Sequence, residues 1–123
     1  MLLEVRKLIF SDDLLKRALL GYFHEIDAEI PQSAIQKIRF VGTPGENALV
    51  IVEFMTADPQ KPYEINLSEA EVLTAMISSC KEYRIPLPRN AAKTIQHTKQ
   101  GLAMTVSMKV DTPPPAANQR VAS

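Results

Sequence analysis

The chain has 123 residues, of which 46% are hydrophobic and 23% charged, with 14 acidic and 14 basic side chains. That size and balance suit one globular domain with a core of its own, and they argue against disorder and against a membrane protein. Cys80 is the only cysteine, which excludes an internal disulfide and a multi-cysteine metal site and fits a reducing compartment, so a cytoplasmic location is expected.

Leu3, Val5 and Ile9 alternate imperfectly with Glu4, Arg6 and Leu8, so residues 2 to 9 read as a first strand, with an early helical turn as the alternative. Glu4, Arg6 and Lys7 also interrupt this segment before a signal-peptide core could form. Ser11 suits a helix N-cap, Asp12 and Asp13 favour the positive end of the dipole, and Phe10 can staple onto Leu15. Leu15, Ala18, Leu19, Tyr22, Phe23 and Ile26 then recur at helical spacing, and the helix should end near residue 25 or 26, before Pro31.

Ile38 and Phe40 alternate with Lys37 and Arg39, a Gly42-Thr43-Pro44-Gly45 turn follows, and the run from Ala48 to Met55 is rich in Val and Ile. A β-hairpin is expected, its second strand placed centrally and covered on both faces. Tyr63, Ile65 and Leu67 predict a short strand after the Pro59 to Pro62 bend. Ser68 and Glu71 match a capping box ahead of Val72, Leu73, Met76, Ile77, Cys80 and Tyr83.

Beyond Pro86 and Pro88 the sequence predicts a short helix from Ala91 to about Gln100, capped by Asn90 and left through Gly101. From Leu102 to Val110 apolar residues occupy every second position, predicting a strand whose Thr105, Ser107 and Lys109 face solvent or a partner. A single α+β domain over residues 1–111 is expected, with a disordered Pro-rich tail over 112–123. The element order resembles a ferredoxin-like split βαβ variant, a mainly antiparallel sheet with helices on one face; another antiparallel α+β sandwich is the alternative. No internal repeat is read from the sequence.

Tyr83-Arg84-Ile85-Pro86-Leu87-Pro88-Arg89 resembles a segment of short bacterial proteins of unknown function, and the resemblance implies neither an activity nor site residues. Charge is distributed unevenly. Residues 1–80 hold seven basic and twelve acidic side chains, whereas Lys81, Arg84, Arg89, Lys93, Lys99 and Lys109 face only Glu82 over residues 81–110. Lys81, Arg84, Arg89, Asn90 and Lys93 are therefore the candidate anion- or nucleic-acid-binding residues, with Asn90 offering a helix N-terminus. A solvated face is the plainer reading of the same residues.

For catalysis, His24 and Asp27 sit one helical turn apart, but a surface pair accounts for them more simply. No metal-ligand spacing, dinucleotide fingerprint or phosphate loop is present, so no catalytic residue, metal or cofactor is expected. A noncatalytic interaction or regulatory domain, self-associating as a homodimer or binding a protein partner through an open sheet face or edge, is the first reading. Nucleic-acid or phosphorylated-ligand binding through the basic corner is the second, and no membrane partner is expected.

Overall fold

A computed structural model describes residues 2–31, 34–58 and 60–110. In chain order it contains β1 (Leu2–Phe10), α1 (Asp12–Glu25), β2 (Ile35–Val41), β3 (Leu49–Phe54), β4 (Tyr63–Ser68), α2 (Glu69–Glu82), β5 (Ala92–Thr98) and β6 (Gly101–Val110). The class is α+β, in two three-stranded sheets ordered β1-β6-β5 and β2-β3-β4. A ferredoxin-like sheet would set parallel strands side by side. All ladders among the described residues are instead antiparallel and fall into two sheets. Pro59 and the Thr112–Ser123 tail lie outside the described residues.

Both helices start at the expected serines. Ser11 Oγ accepts from Leu14 N at 3.3 Å. Ser68 Oγ accepts from Glu71 N at 3.2 Å, while Glu71 Oε1 accepts from Ser68 N at 3.0 Å, which completes the capping box. Each helix ends in a left-handed residue, Asp27 at φ 54° and Arg84 at φ 59°.

The short helix expected from Ala91 is absent. Residues 92–98 form β5, paired with β6 from Ala92↔Ser107 to Thr98↔Gly101. A lone ten-residue helix is marginal in water, whereas a hairpin gains a full ladder and buries Ile95 to 4% exposure. Thr94, Ile95 and Thr98 also favour extended backbone. Asn90 consequently stands in a turn and caps nothing, and Gly101 opens β6 instead of closing a helix. A second difference concerns β3. It is central, but only Val50, Val52 and Phe54 are buried, while Leu49 is exposed and Ile51 and Glu53 are half-buried. Ile51 lies between Arg39 and Asn66 on the outer face, where neighbouring polar side chains flank an apolar residue.

The fold also contains a repeat that composition and periodicity did not disclose. β1-α1-β2-β3 and β4-α2-β5-β6 are two βαββ units, and the first strand of each adds to the hairpin of the other. Most positions of the two units correspond at a spacing of 57 residues, as in Ser11 and Ser68, Ala18 and Ala75, Glu25 and Glu82, Pro31 and Pro88, and Ile38 and Ile95. Hydrogen bonds obey the same spacing. Ala28 N donates to Phe23 O at 2.9 Å and Ile85 N to Cys80 O at 2.8 Å; Asp27 N donates to His24 O and Arg84 N to Lys81 O. These are matching Schellman closures of the two helices.

Even the ties between edge strand and loop correspond. Arg6 donates to Pro86 O at 2.7 Å, and Tyr63 donates from its hydroxyl to Glu29 O at 3.1 Å. Phe40 and His97, also equivalent, stack with centroids 4.3 Å apart, so β2 and β5 meet at an approximate dyad relating the units. Leu15, Leu19, Phe23, Val72, Met76 and Cys80 fill the core against Val50, Val52, Phe54, Leu102 and Met104. Tyr22 Oη bonds Glu71 Oε2 at 3.4 Å, joining the last turn of α1 to the first turn of α2, as antiparallel helices require.

Candidate interaction surface

β1 is an outer strand of its sheet, so one side of its backbone has no strand beside it. Its side chains alternate, and the inward set is Arg6, Leu8 and Phe10, half-buried or buried. The outward set is Leu3, Val5, Lys7 and Ile9, with Leu3 60%, Val5 55% and Ile9 43% exposed. The sequence marks Leu3, Val5 and Ile9 as apolar positions without fixing which face of the strand meets the core, and the structure turns them away from it. Phe10 decides the matter: it precedes the Ser11 cap and must turn inward onto α1, which fixes the parity of the whole strand. The repeat carries the same signal, because Tyr63, Ile65 and Leu67 are the positions of β4 equivalent to Arg6, Leu8 and Phe10.

The outward row of β1 continues onto β6, where Lys109, Ser107, Thr105 and Ala103 lie opposite Leu3, Val5, Lys7 and Ile9. Of this row on β6 Lys109 is exposed, Thr105 and Ser107 are half-buried and Ala103 is buried, so the face expected for solvent or a partner is open mainly at its Lys109 end, where it adjoins the apolar strip.

β4 occupies the equivalent edge of the other sheet and is treated differently. Where β1 has Val5, Lys7 and Ile9, the second unit has Pro62, Glu64 and Asn66. Proline and charge blunt an edge against further pairing. Glu64 is moreover held by Arg39, and β4 spans 6 residues against 9 in β1. A third edge, β5, has its Ile95 N–H reached by Glu69 Oε2 at 3.5 Å, and Glu69 Oε1 accepts from Gly45 N at 2.8 Å. Among the two pseudo-equivalent outer edges, only β1 combines length, apolar outward side chains and freedom from proline.

The basic residues divide. Lys81, Arg89 and Lys93 line a shallow cavity of about 350 Å³ with Ile77, Ile85, Pro86, Leu87 and Pro88. Lys93 Nζ is already spent on Pro88 O at 3.1 Å and Ala91 O at 3.3 Å, bracing the loop. Arg84 does not line this cavity and serves as the left-handed residue that closes α2. With no helix beginning at Asn90, the five residues lack the dipole end that an anion site there required. The acid–base pair that the spacing of His24 and Asp27 allowed, although a surface pair accounted for them more simply, is not formed: Asp27 meets His24 through its backbone N–H on the His24 carbonyl. His97, on a strand, stacks on Phe40.

A larger cavity of about 380 Å³ runs along the outer groove between the helices, past Arg17, Gly21, His24, Glu25, Ser78 and Glu82. No hydrogen bond or ion pair links its charged side chains to one another among the described residues. Among those residues no group of His, Cys, Asp and Glu could hold a metal ion, and no helix is long and apolar enough to cross a membrane. Burial raises the Cys80 thiol above its ordinary value, with Arg6 opposing, and Cys80 is only 1% exposed; a buried neutral thiol is a core residue, not a nucleophile. No protein-family model, curated protein or solved structure matches the chain.

Proposed function

We propose that the protein is a noncatalytic interaction domain that takes up an extended segment of a partner alongside β1. The single observation that carries this reading is the contrast between two pseudo-equivalent edges, β4 blunted by Pro62, Glu64 and Asn66 and β1 left long and apolar. A strand laid against β1 would pair its backbone N–H and C=O groups, and Leu3, Val5 and Ile9 would give its alternate side chains an apolar strip. Lys7 lies within that strip and Lys109 beside Leu3, so a partner residue set against either of them should not be basic.

Display of random peptides against the immobilised protein tests the reading. Extended sequences with alternating apolar residues should be enriched, and Val5→Lys should abolish their capture while leaving the circular dichroism spectrum unchanged. Equal capture by the Val5→Lys variant would refute it.

A further inference from the structure

Building on that reading, we propose that the segment received by β1 is β1 of a second copy, paired antiparallel about a dyad at Val5, so that two chains join their sheets into one of six strands. The charges of β1 select this register. In an antiparallel pair of identical strands, each same-face register sets one residue opposite itself. Centring on Glu4, Arg6 or Lys7 would oppose like charges at the dyad. Centring on Val5 opposes Val5 to itself, Glu4 to Arg6 of the partner strand, Leu3 to Lys7 and Leu2 to Leu8. It therefore forms two opposite-charge pairs and overlaps most of the strand.

The structure prepares both members of those charge pairs. Arg6 is steadied by its bond to Pro86 O, which uses one of the five guanidinium N–H groups and leaves others for a carboxylate. Glu4 is exposed and forms no ion pair among the described residues. On the outer face the two Val5 side chains would meet at the junction, with Leu3 of each chain against the aliphatic stem of Lys7 of the other. Lys7 keeps the strand from pairing indiscriminately, because it sets a positive charge against any register that brings two copies of it together.

Residue 5 facing itself gives a direct test. Wild-type protein should sediment as a dimer whose dissociation follows mass action. Val5→Lys and Val5→Glu, each alone, should dimerise about tenfold or more weakly, because like charges would meet at the dyad. An equimolar mixture of the two should recover a heterodimer, read by native mass spectrometry, since Lys then opposes Glu. The positions are exposed, so unchanged circular dichroism is expected for both and is the folding control.

Three outcomes would overturn the proposal: a monomeric wild type at every concentration, variants that dimerise like wild type, or a mixture that recovers nothing. If the wild type is monomeric while Val5→Lys still abolishes peptide capture, self-pairing falls and the interaction domain stands. If Val5→Lys changes neither dimerisation nor peptide capture, both fall.

Discussion

Gly101 opens β6 against the end of β1, and replacing it separates two effects that glycine substitutions usually mix. A Cβ built on Gly101 would lie 2.0 Å from Phe10 O and 3.3 Å from Ser11 Cα, and the residue has φ +145°. The backbone cannot accept alanine without moving β6 away from β1 beside the fully buried Leu102 and Met104. Left-handed strain of about 1–3 kcal/mol and the loss of local packing together predict that Gly101→Ala destabilises by about 3–5 kcal/mol. Gly45 supplies the control for strain alone: its φ is +87°, yet nothing lies within 4 Å of a built Cβ, so Gly45→Ala should cost only about 1–2 kcal/mol. Gly21, inside α1 with equally open surroundings, should gain from alanine by about 0.5–1 kcal/mol. Urea unfolding at equilibrium reads all three as shifts of midpoint at constant slope. If Gly101→Ala costs no more than Gly45→Ala, the close approach of β6 to β1, and the edge geometry built on it, is wrong.

Other expectations follow from the two units. Asp27→Gly and Arg84→Gly should each stabilise by up to about 1 kcal/mol, because both residues hold the left-handed Schellman position that glycine occupies without strain; destabilisation by Arg84→Gly would instead show that its side chain matters. Ser68→Ala removes the cap of α2 and should cost about 1 kcal/mol, measured by the same urea titration. Cys80 should react with a thiol reagent only as fast as the fold opens, so its rate should rise with urea in step with unfolding; prompt reaction in native buffer would refute its burial. Burial, and then the Glu71 carboxylate, holds the Tyr22 hydroxyl above 10.0, and burial holds Cys80 above 9.0. Both ionise sooner in the unfolded chain. Stability is therefore fully present below about pH 9 and declines as the pH rises through the raised folded-state values. Tyr22→Phe should flatten the part of that decline above about pH 10, and an unchanged pH profile would exclude Tyr22 as its source.

The residues of β1 show how far local sequence reaches. Its extent, the Ser11 cap and the helix beyond it follow from residue type and spacing, because caps and amphipathic periods act over a few residues. The same holds for the Ser68 capping box, the β2-β3 hairpin and the alternating β6. Which side of β1 meets the core did not follow, since Leu3, Val5 and Ile9 are as apolar as Leu8 and Phe10, and parity was set by Phe10 packing under α1. Phe10, Leu67 and the 57-residue correspondence offered a signal, though a weak one: only scattered positions such as Ser11 and Ser68 or Pro31 and Pro88 keep their identity.

Tertiary structure alone decided the rest. Ala92 to Thr98 holds both helical and extended tendencies, and the ladder with β6 settles the choice, a long-range gain that no local window contains. That ladder removed the helix end on which the basic corner depended and left Lys93 bracing the loop at Pro88 and Ala91. It also set β6 between β5 and β1, making β1 the outer strand. What the chain wrote into its own residues was a set of caps, turns and apolar periods. The exchange of first strands between the two units, and so which edge is closed and which is open, comes from pairing between residues far apart in the chain, where the energy depends on contacts rather than on composition.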